Sequence, residues 1–90
     1  MNANQSSIMI NPNKHIGEQI TKARETKGIT AEEARKAYNK LFPQQTVNTV
    51  QSYFQKERRA DIGVVETVRM CLALGIPDIY IADLKTEDDD

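Results

Sequence analysis

Hydrophobic residues recur at helical spacing along most of the 90-residue chain, and residues typical of helix ends divide this pattern into segments. Ile16, Ile20 and Ala23 predict a first amphipathic helix. The segment Asn11-Pro12 can open this helix and Gly28 ends it, because proline suits a first turn and glycine suits a helix end.

The second helix opens with a Thr-x-x-Glu capping box formed by Thr30 and Glu33. Its apolar stripe continues to Leu41. Phe42-Pro43 ends it, because a residue that precedes proline disfavours helical geometry.

A third helix is predicted over residues 45–56, with a buried face marked by Val47, Val50 and Phe54. Pro43 can sit in a turn that precedes it. The sequence leaves open whether Val47 or Val50 fixes the register of this helix.

Asp61 can cap a fourth helix that ends at Gly75. Its broad apolar face is formed by Val64, Val65, Val68, Cys71 and Leu72. Pro77-Asp78 can start a short fifth helix, although Ile79 and Ile81 alternate as they do in a strand. The helix is the favoured interpretation of this last segment.

Five short helices predict one compact all-α domain over residues 14–84. Residues 1–13 are mostly polar and are expected to form a flexible N-terminal arm, and residues 85–90 form an acidic C-terminal tail. A folded part of about 70 residues is near the lower limit for a core without disulfides or metal. Pairing with a second copy is a common way to stabilise such a domain.

The charge is distributed unevenly along the chain. The net charge is −1, yet residues 14–59 hold ten basic and five acidic side chains, and acids are concentrated after residue 82. Because a binding surface responds to the local potential, this distribution permits a polyanionic partner.

Four segments, taken in order, resemble the Cro/repressor-type helix-turn-helix family, also called lambda-repressor-like or XRE. The stretch HIGEQITKARETKGITAEEARKAY resembles its first two helices, TVQSYFQKERR its recognition helix, and VVETVRMCLALGIPDIYIADL its closing helices with an Ala-Leu-Gly-Ile element. The resemblance covers residues 14–84. It implies a five-helix lambda-repressor-like domain that binds DNA sequence-specifically, most simply a homodimeric repressor on a palindromic operator.

The polar face of the third helix is the candidate surface for reading bases. Uncharged side chains opposite its apolar face can bond base edges through paired donors and acceptors. The candidate base-contacting residues are Gln44, Gln45, Asn48, Thr49 and Ser52, with Gln44 included because the register is open. The alternative interpretation is an ordinary solvated face, which usually carries more acids than this one.

Basic residues at the end of the third helix are candidates for phosphate contacts. Lys56, Arg58 and Arg59 follow the polar face directly, and Thr30 at the start of the second helix can add backbone donors. The alternative is that these cations merely suit a helix C-terminus.

Apolar residues near the C-terminus are the candidate dimer interface. They are Ile79, Tyr80, Ile81 and Leu84, joined in one variant by Ile8, Met9 and Ile10. A rival hypothesis is an antitoxin-like or adaptor module that binds another protein. The acidic TEDDD tail, which repels DNA, favours this rival.

Other classes of function find little support in the sequence. His15 is expected to be exposed and Cys71 to pack in the core, and no cluster of side chains predicts a catalytic, cofactor or metal site. No apolar run is long enough to cross a bilayer. We therefore expect a cytoplasmic protein that is not an enzyme, uses no cofactor and takes no small-molecule effector.

Overall fold

The computed structural model describes residues 7–59 and 62–82. Within these ranges the chain forms four α-helices, one short 3₁₀ helix and two strands. In order they are β1 (Ser7–Ile10), α1 (Ile16–Thr26), α2 (Ala31–Leu41), the 3₁₀ helix (Pro43–Gln45), α3 (Val50–Arg58), α4 (Val64–Ala73) and β2 (Asp78–Ile81). The prediction of a mostly helical domain is confirmed.

The C-terminal segment is a strand, so the predicted fifth helix is wrong. β2 pairs in parallel with β1, with Ile8 beside Ile79 and Ile10 beside Ile81. The alternating isoleucines favour a strand, and β1 supplies the pairing partner that a strand requires. The fold is therefore not purely all-α. The segment predicted as a flexible arm, residues 1–13, contains β1.

The first two helices end where the sequence predicts. Gly28 follows α1 with a φ of 72°, a backbone conformation that glycine adopts without strain. The Thr30 hydroxyl accepts a hydrogen bond from the Glu33 N–H at 3.1 Å, and the Glu33 carboxylate accepts one from the Thr30 N–H at 2.9 Å. The capping box is confirmed, and α2 ends at Leu41 with Phe42 as its C-cap.

The core lies between the four helices and the inner face of the sheet. Its largest fully buried side chains are Tyr38, Tyr53, Ile10, Ile20, Met70, Leu74 and Ile76. Cys71 is buried among them, as predicted, and burial raises the pKa of its thiol to about 11. An inert thiol that packs in the core follows from this environment.

The apolar face predicted on the fourth helix is mostly outside the core. Thr67, Met70 and Cys71 turn inward from α4. The remaining members of that face, Val64, Val65, Val68 and Leu72, are exposed. The predicted cap Asp61 lies outside the described residues.

Candidate nucleic-acid interface

The turn before α3 is held extended by side chains of α2. The Asn39 amide donates to the Val47 carbonyl at 3.0 Å and accepts from the Val47 N–H at 2.7 Å. Arg35 also donates to the Val47 carbonyl at 3.0 Å. These bonds occupy the backbone groups that a helix would need. The predicted start of the third helix at Gln45 is therefore wrong.

Thr49 caps the N-terminus of α3. Its hydroxyl accepts a hydrogen bond from the Ser52 N–H at 3.0 Å and lies 3.0 Å from the Ser52 hydroxyl oxygen. This is the bonding that a threonine N-cap provides. Of the two valines considered for the register, Val50 begins the helix and Val47 is buried in the turn before it.

The buried face of α3 is formed by Tyr53 and Glu57, with Val50 and Phe54 half-buried beside them. Tyr53 therefore anchors the helix in the core. The exposed residues of the helix are Gln51, Ser52, Gln55 and Arg58. At 100° per residue they span an arc of roughly 120°.

Gln51 and Gln55 are site residues that the sequence analysis did not identify. The predicted buried face was centred on Val47, Val50 and Phe54, so both glutamines were expected to lie away from the outer face. The available signal was the i, i+4 pair Tyr53 and Glu57. An acid is a poor guide to a buried face, because burial of a charge requires a partner.

The candidate base-contacting residues are all exposed but occupy different positions along the chain. Gln44 and Gln45 lie in the 3₁₀ helix, Asn48 and Thr49 directly precede α3, and Ser52 lies in its first turn. The structure therefore brings Asn48, Thr49 and Ser52 to one helix end. The two glutamines belong to the preceding turn.

Arg58 and Arg59 are exposed at the C-terminal end of α3. The Arg58 guanidinium lies 5.2 Å from the centre of the Phe54 ring. A shallow open depression of about 500 Å³ runs along this end of the helix, and it is lined by Ser52, Gln55, Lys56, Arg58 and Arg59. Neutral hydrogen-bonding groups and cations thus share one surface.

Lys56 differs from the two arginines because it has partners within the fold. Its ammonium lies 3.1 Å from a Glu66 carboxylate oxygen and 5.4 Å from the centre of the Tyr38 ring. The Tyr38 hydroxyl donates to the same carboxylate at 2.7 Å. Lys56 therefore joins α3 to α2 and α4, and it offers less charge to a ligand.

This cluster shifts two pKa values in opposite directions. Burial raises the pKa of Glu66, but hydrogen bonds from Tyr38 and Lys56 outweigh burial and hold it below the ordinary 4.5. Burial, together with the hydrogen bond to Glu66, raises the pKa of Tyr38 to about 12. At neutral pH the carboxylate is charged and the phenol is not.

Helix α1 fixes the position of the C-terminal half of α3. Arg24 and Glu57 form a buried ion pair at 2.7 Å, and the Thr21 hydroxyl donates to the same carboxylate at 2.9 Å. His15 Nε2 lies 3.1 Å from the Arg59 carbonyl oxygen. The exposed His15 has a structural contact, and α3 is held against α1 at its last turn.

The proposed phosphate contact at Thr30 has fewer donors than the sequence suggests. The capping box uses both its N–H and its hydroxyl, and Glu32 and Glu33 add negative charge to the same turn. Glu32 is paired with Arg35 at 2.7 Å, and this hydrogen bond lowers the pKa of its carboxyl. The contact stays a prediction.

The candidate dimer residues are divided between the two faces of the sheet. Ile79 and Ile81 share the face of Ile8 and Ile10, while Tyr80 lies beside Met9 on the opposite face. Ile8 and Ile10 are buried, and Leu84 lies outside the described residues. One flat interface cannot include every candidate.

Neither a cluster of metal ligands nor a membrane-spanning helix is found in the part of the chain that the structure describes. No group of three or more His, Cys, Asp or Glu side chains there could hold a metal ion. No helix in the same ranges is long and apolar enough to span a membrane.

Comparisons with protein-family models, curated proteins and solved structures found no match to this chain.

Proposed function

We propose that this protein is a sequence-specific DNA-binding transcriptional regulator of the Cro/repressor type. Most simply it is a homodimeric repressor that binds a palindromic operator. It acts in the cytoplasm, where its DNA lies, and it needs neither a cofactor nor a small-molecule effector. The observation that carries the proposal is the chemistry of the exposed face of α3.

That face carries hydrogen-bonding groups and positive charge without an acid. Glu57 is the one acidic residue of α3, and it is buried against Arg24. What remains outside is Gln51, Ser52 and Gln55, followed by arginine. A solvated helix face generally mixes acids with bases, so removal of the acid into the core favours a polyanionic partner.

The two halves of this face suit two parts of a DNA duplex. A glutamine amide can bond the N6 and N7 atoms of adenine as a pair in the major groove. An α-helix with its side chains is about 10–12 Å in diameter, which suits a major groove about 12 Å wide. Arg58 and Arg59 at its end can then contact phosphates, which fix the orientation of the protein.

Selection of bound sequences from random duplexes tests the proposal. We expect enrichment of a palindrome with adenine in each half-site, with half-sites about one helical turn apart. Recovery of random sequences at every salt concentration would contradict it.

A matched pair of glutamine variants tests whether α3 itself reads the bases. We expect Gln55→Ala to cost about 1–3 kcal/mol on the selected operator and to relax preference at one base pair per half-site. Gln45→Ala removes the same exposed amide from the 3₁₀ helix and should have little effect. The opposite result would assign base reading to the turn before α3.

A protein-interaction module is the second candidate, and one observation favours it. An apolar groove of about 170 Å³ is open between the sheet and α4. Stable co-purification of a different protein, with no shift of any DNA, would support this candidate over a regulator.

A further inference from the structure

The outer face of α4 carries four of the eight large apolar side chains that are exposed in the described part of the chain. Val64 is 76% exposed and Val65 is 62% exposed, and Val68 and Leu72 continue the same stripe. At 100° per residue these four side chains span an arc of about 100°. The core-facing residues of α4 occupy the other side of the helix.

The stripe continues into the groove beside the sheet. Val64 and Val68 form one wall of this groove, and Ile79 and Ile81 form another. Ile81 is 56% exposed although it lies on the inner face of β2. Helix and strand therefore present one continuous apolar surface.

We infer that this surface, consisting of Val64, Val65, Val68, Leu72 and Ile81, is the interface between two copies of this chain. This interface rests on the homodimer of the proposed function and not on its DNA binding. It is centred on α4 and not on β2, where the sequence placed the candidate residues.

The size of the surface suits a stable dimer. The exposed fractions of its five side chains correspond to an apolar area on the order of 500 Å², which is the size of a functional patch on a small protein. Two copies that cover this surface on each other bury about 1,000 Å² in total, which is the size from which a specific protein interface is expected.

Its charge and shape suit a second copy. Glu66 and Arg69, the two charged residues of α4, lie 3.6 Å apart and outside the apolar arc. Two copies therefore meet on this face without repulsion between like charges, in contrast to the basic surface of α3. Val64, Val68 and Leu72 form a ridge with four-residue spacing, and two such ridges interdigitate when helices cross at about −50°.

A two-fold axis brings the same patch of both copies together, so the patch must be complementary to itself. The ridge of α4 meets this requirement, because the ridge of each copy can pack into the helical groove beside the ridge of the other copy. Tyr80 and Met9, on the outer face of the sheet, take no part in this arrangement.

Sedimentation equilibrium without DNA tests the inference. We expect the full chain to be dimeric at micromolar concentration and Val64→Asp with Val65→Asp to raise the dissociation constant by about 100-fold or more, because the new carboxylates lose water in the interface. Both positions lie in the first turn of α4, where the helix dipole stabilises a negative charge, so the protomer should remain folded. Far-UV circular dichroism checks this.

A matched pair on β2 locates the interface. Ile81 and Tyr80 are adjacent and equally exposed, but they face opposite sides of the sheet. Ile81→Asp should weaken the dimer, and Tyr80→Asp should leave it intact. A monomeric wild-type chain, a dimer that survives the α4 substitutions, or a dimer that only Tyr80→Asp disrupts would each overturn the inference.

The experiment also separates this inference from the proposed function. A chain that binds no DNA but loses its dimer on the α4 substitutions leaves the interface standing and refutes the regulator. A chain that binds its operator and is monomeric without DNA refutes the interface alone.

Discussion

Gly17 lies where α1 packs against the backbone at the end of α3. A Cβ atom at this position would overlap the Glu57 carbonyl oxygen, and a backbone atom of that kind cannot move aside. We expect Gly17→Ala to destabilise the fold by about 1–3 kcal/mol, as overpacking does. Urea unfolding measures the change.

Gly63→Ala is the matched control for this substitution. Its added Cβ would meet no atom within 4 Å in the described structure. Gly63 is the N-cap of α4, where alanine is a poorer cap, but its φ of −66° suits alanine, which loses less entropy on folding. These effects oppose each other, so the control should cost less than about 1 kcal/mol. Equal effects at both glycines would contradict the close approach of α1 and α3.

The ion pair between Arg24 and Glu57 predicts a strongly non-additive pair of substitutions. Arg24→Met leaves a buried carboxylate without its partner and should cost about 3–5 kcal/mol. Addition of Glu57→Leu removes that unpaired charge, so the double variant should be more stable than Arg24→Met. A double-mutant cycle of unfolding free energies checks this, and simple additivity would count against a buried pair.

At the scale of elements, the three cations at the end of α3 differ in what they contact. Arg58→Ala and Arg59→Ala should each weaken binding to operator and random DNA alike. Each should also lower the slope of log affinity against log salt by about one unit. Lys56→Met is the control, since Lys56 is paired with Glu66, and it should leave the slope nearly unchanged.

An equal loss of slope for all three variants would show that Lys56 releases Glu66 when DNA binds. If neither arginine substitution lowers the salt slope, α3 is not part of the surface that binds DNA.

The contact of α3 with α2 and α4 through Glu66 predicts acid sensitivity. Because the folded pKa of Glu66 lies below 4.5, its carboxylate contributes stability that is present above that value and is lost as pH falls through the folded pKa. Unfolding free energies measured between about pH 3 and 7 should therefore fall on the acid side.

Glu66→Gln should flatten this acid limb, because the variant has no carboxylate to protonate at position 66. It should also lower stability at neutral pH, where the wild type has its ion pair with Lys56. An unchanged acid limb in the variant would place the titrating group elsewhere.

What the sequence predicts well depends on local contacts. The capping box of Thr30 and Glu33 and the glycine after α1 involve neighbours in the chain, and both features were predicted correctly. The predicted opening of the first helix at Asn11-Pro12 is wrong, because α1 begins at Ile16 with His15 as its N-cap. The start of α3 depends on Asn39, which bonds Val47 eight positions away. Helix propensity takes no account of a bond between residues this far apart, so the predicted helix began too early.

The difference between local and distant contacts also explains which residues of the candidate site were predicted and which were missed. Ser52, Arg58 and Arg59 are exposed as expected. Gln51 and Gln55 were missed because the register depends on burial of Glu57, whose partner Arg24 lies in another helix. The pairing of β1 with β2 likewise joins distant segments that no local pattern connects.

At the scale of the whole molecule, we expect the acidic C-terminal tail to affect the affinity for DNA and not the stability of the fold. Deletion of residues 85–90 removes four acids and one base, all outside the described residues. We expect unchanged thermal stability and modestly tighter DNA binding, because the deletion removes repulsion from phosphates. A large fall in melting temperature would show that this segment is structural.

The pairing of β1 with β2 has a consequence for the order of events during synthesis. β1 leaves the ribosome before the four described helices, and its partner β2 is made only after them. Ile8 and Ile10 therefore have no partner strand during the time in which the helices can already form. Because contacts between distant segments close slowly, we expect the sheet to be the last part of the nascent chain to fold. Until then the N-terminal isoleucines remain accessible to a chaperone.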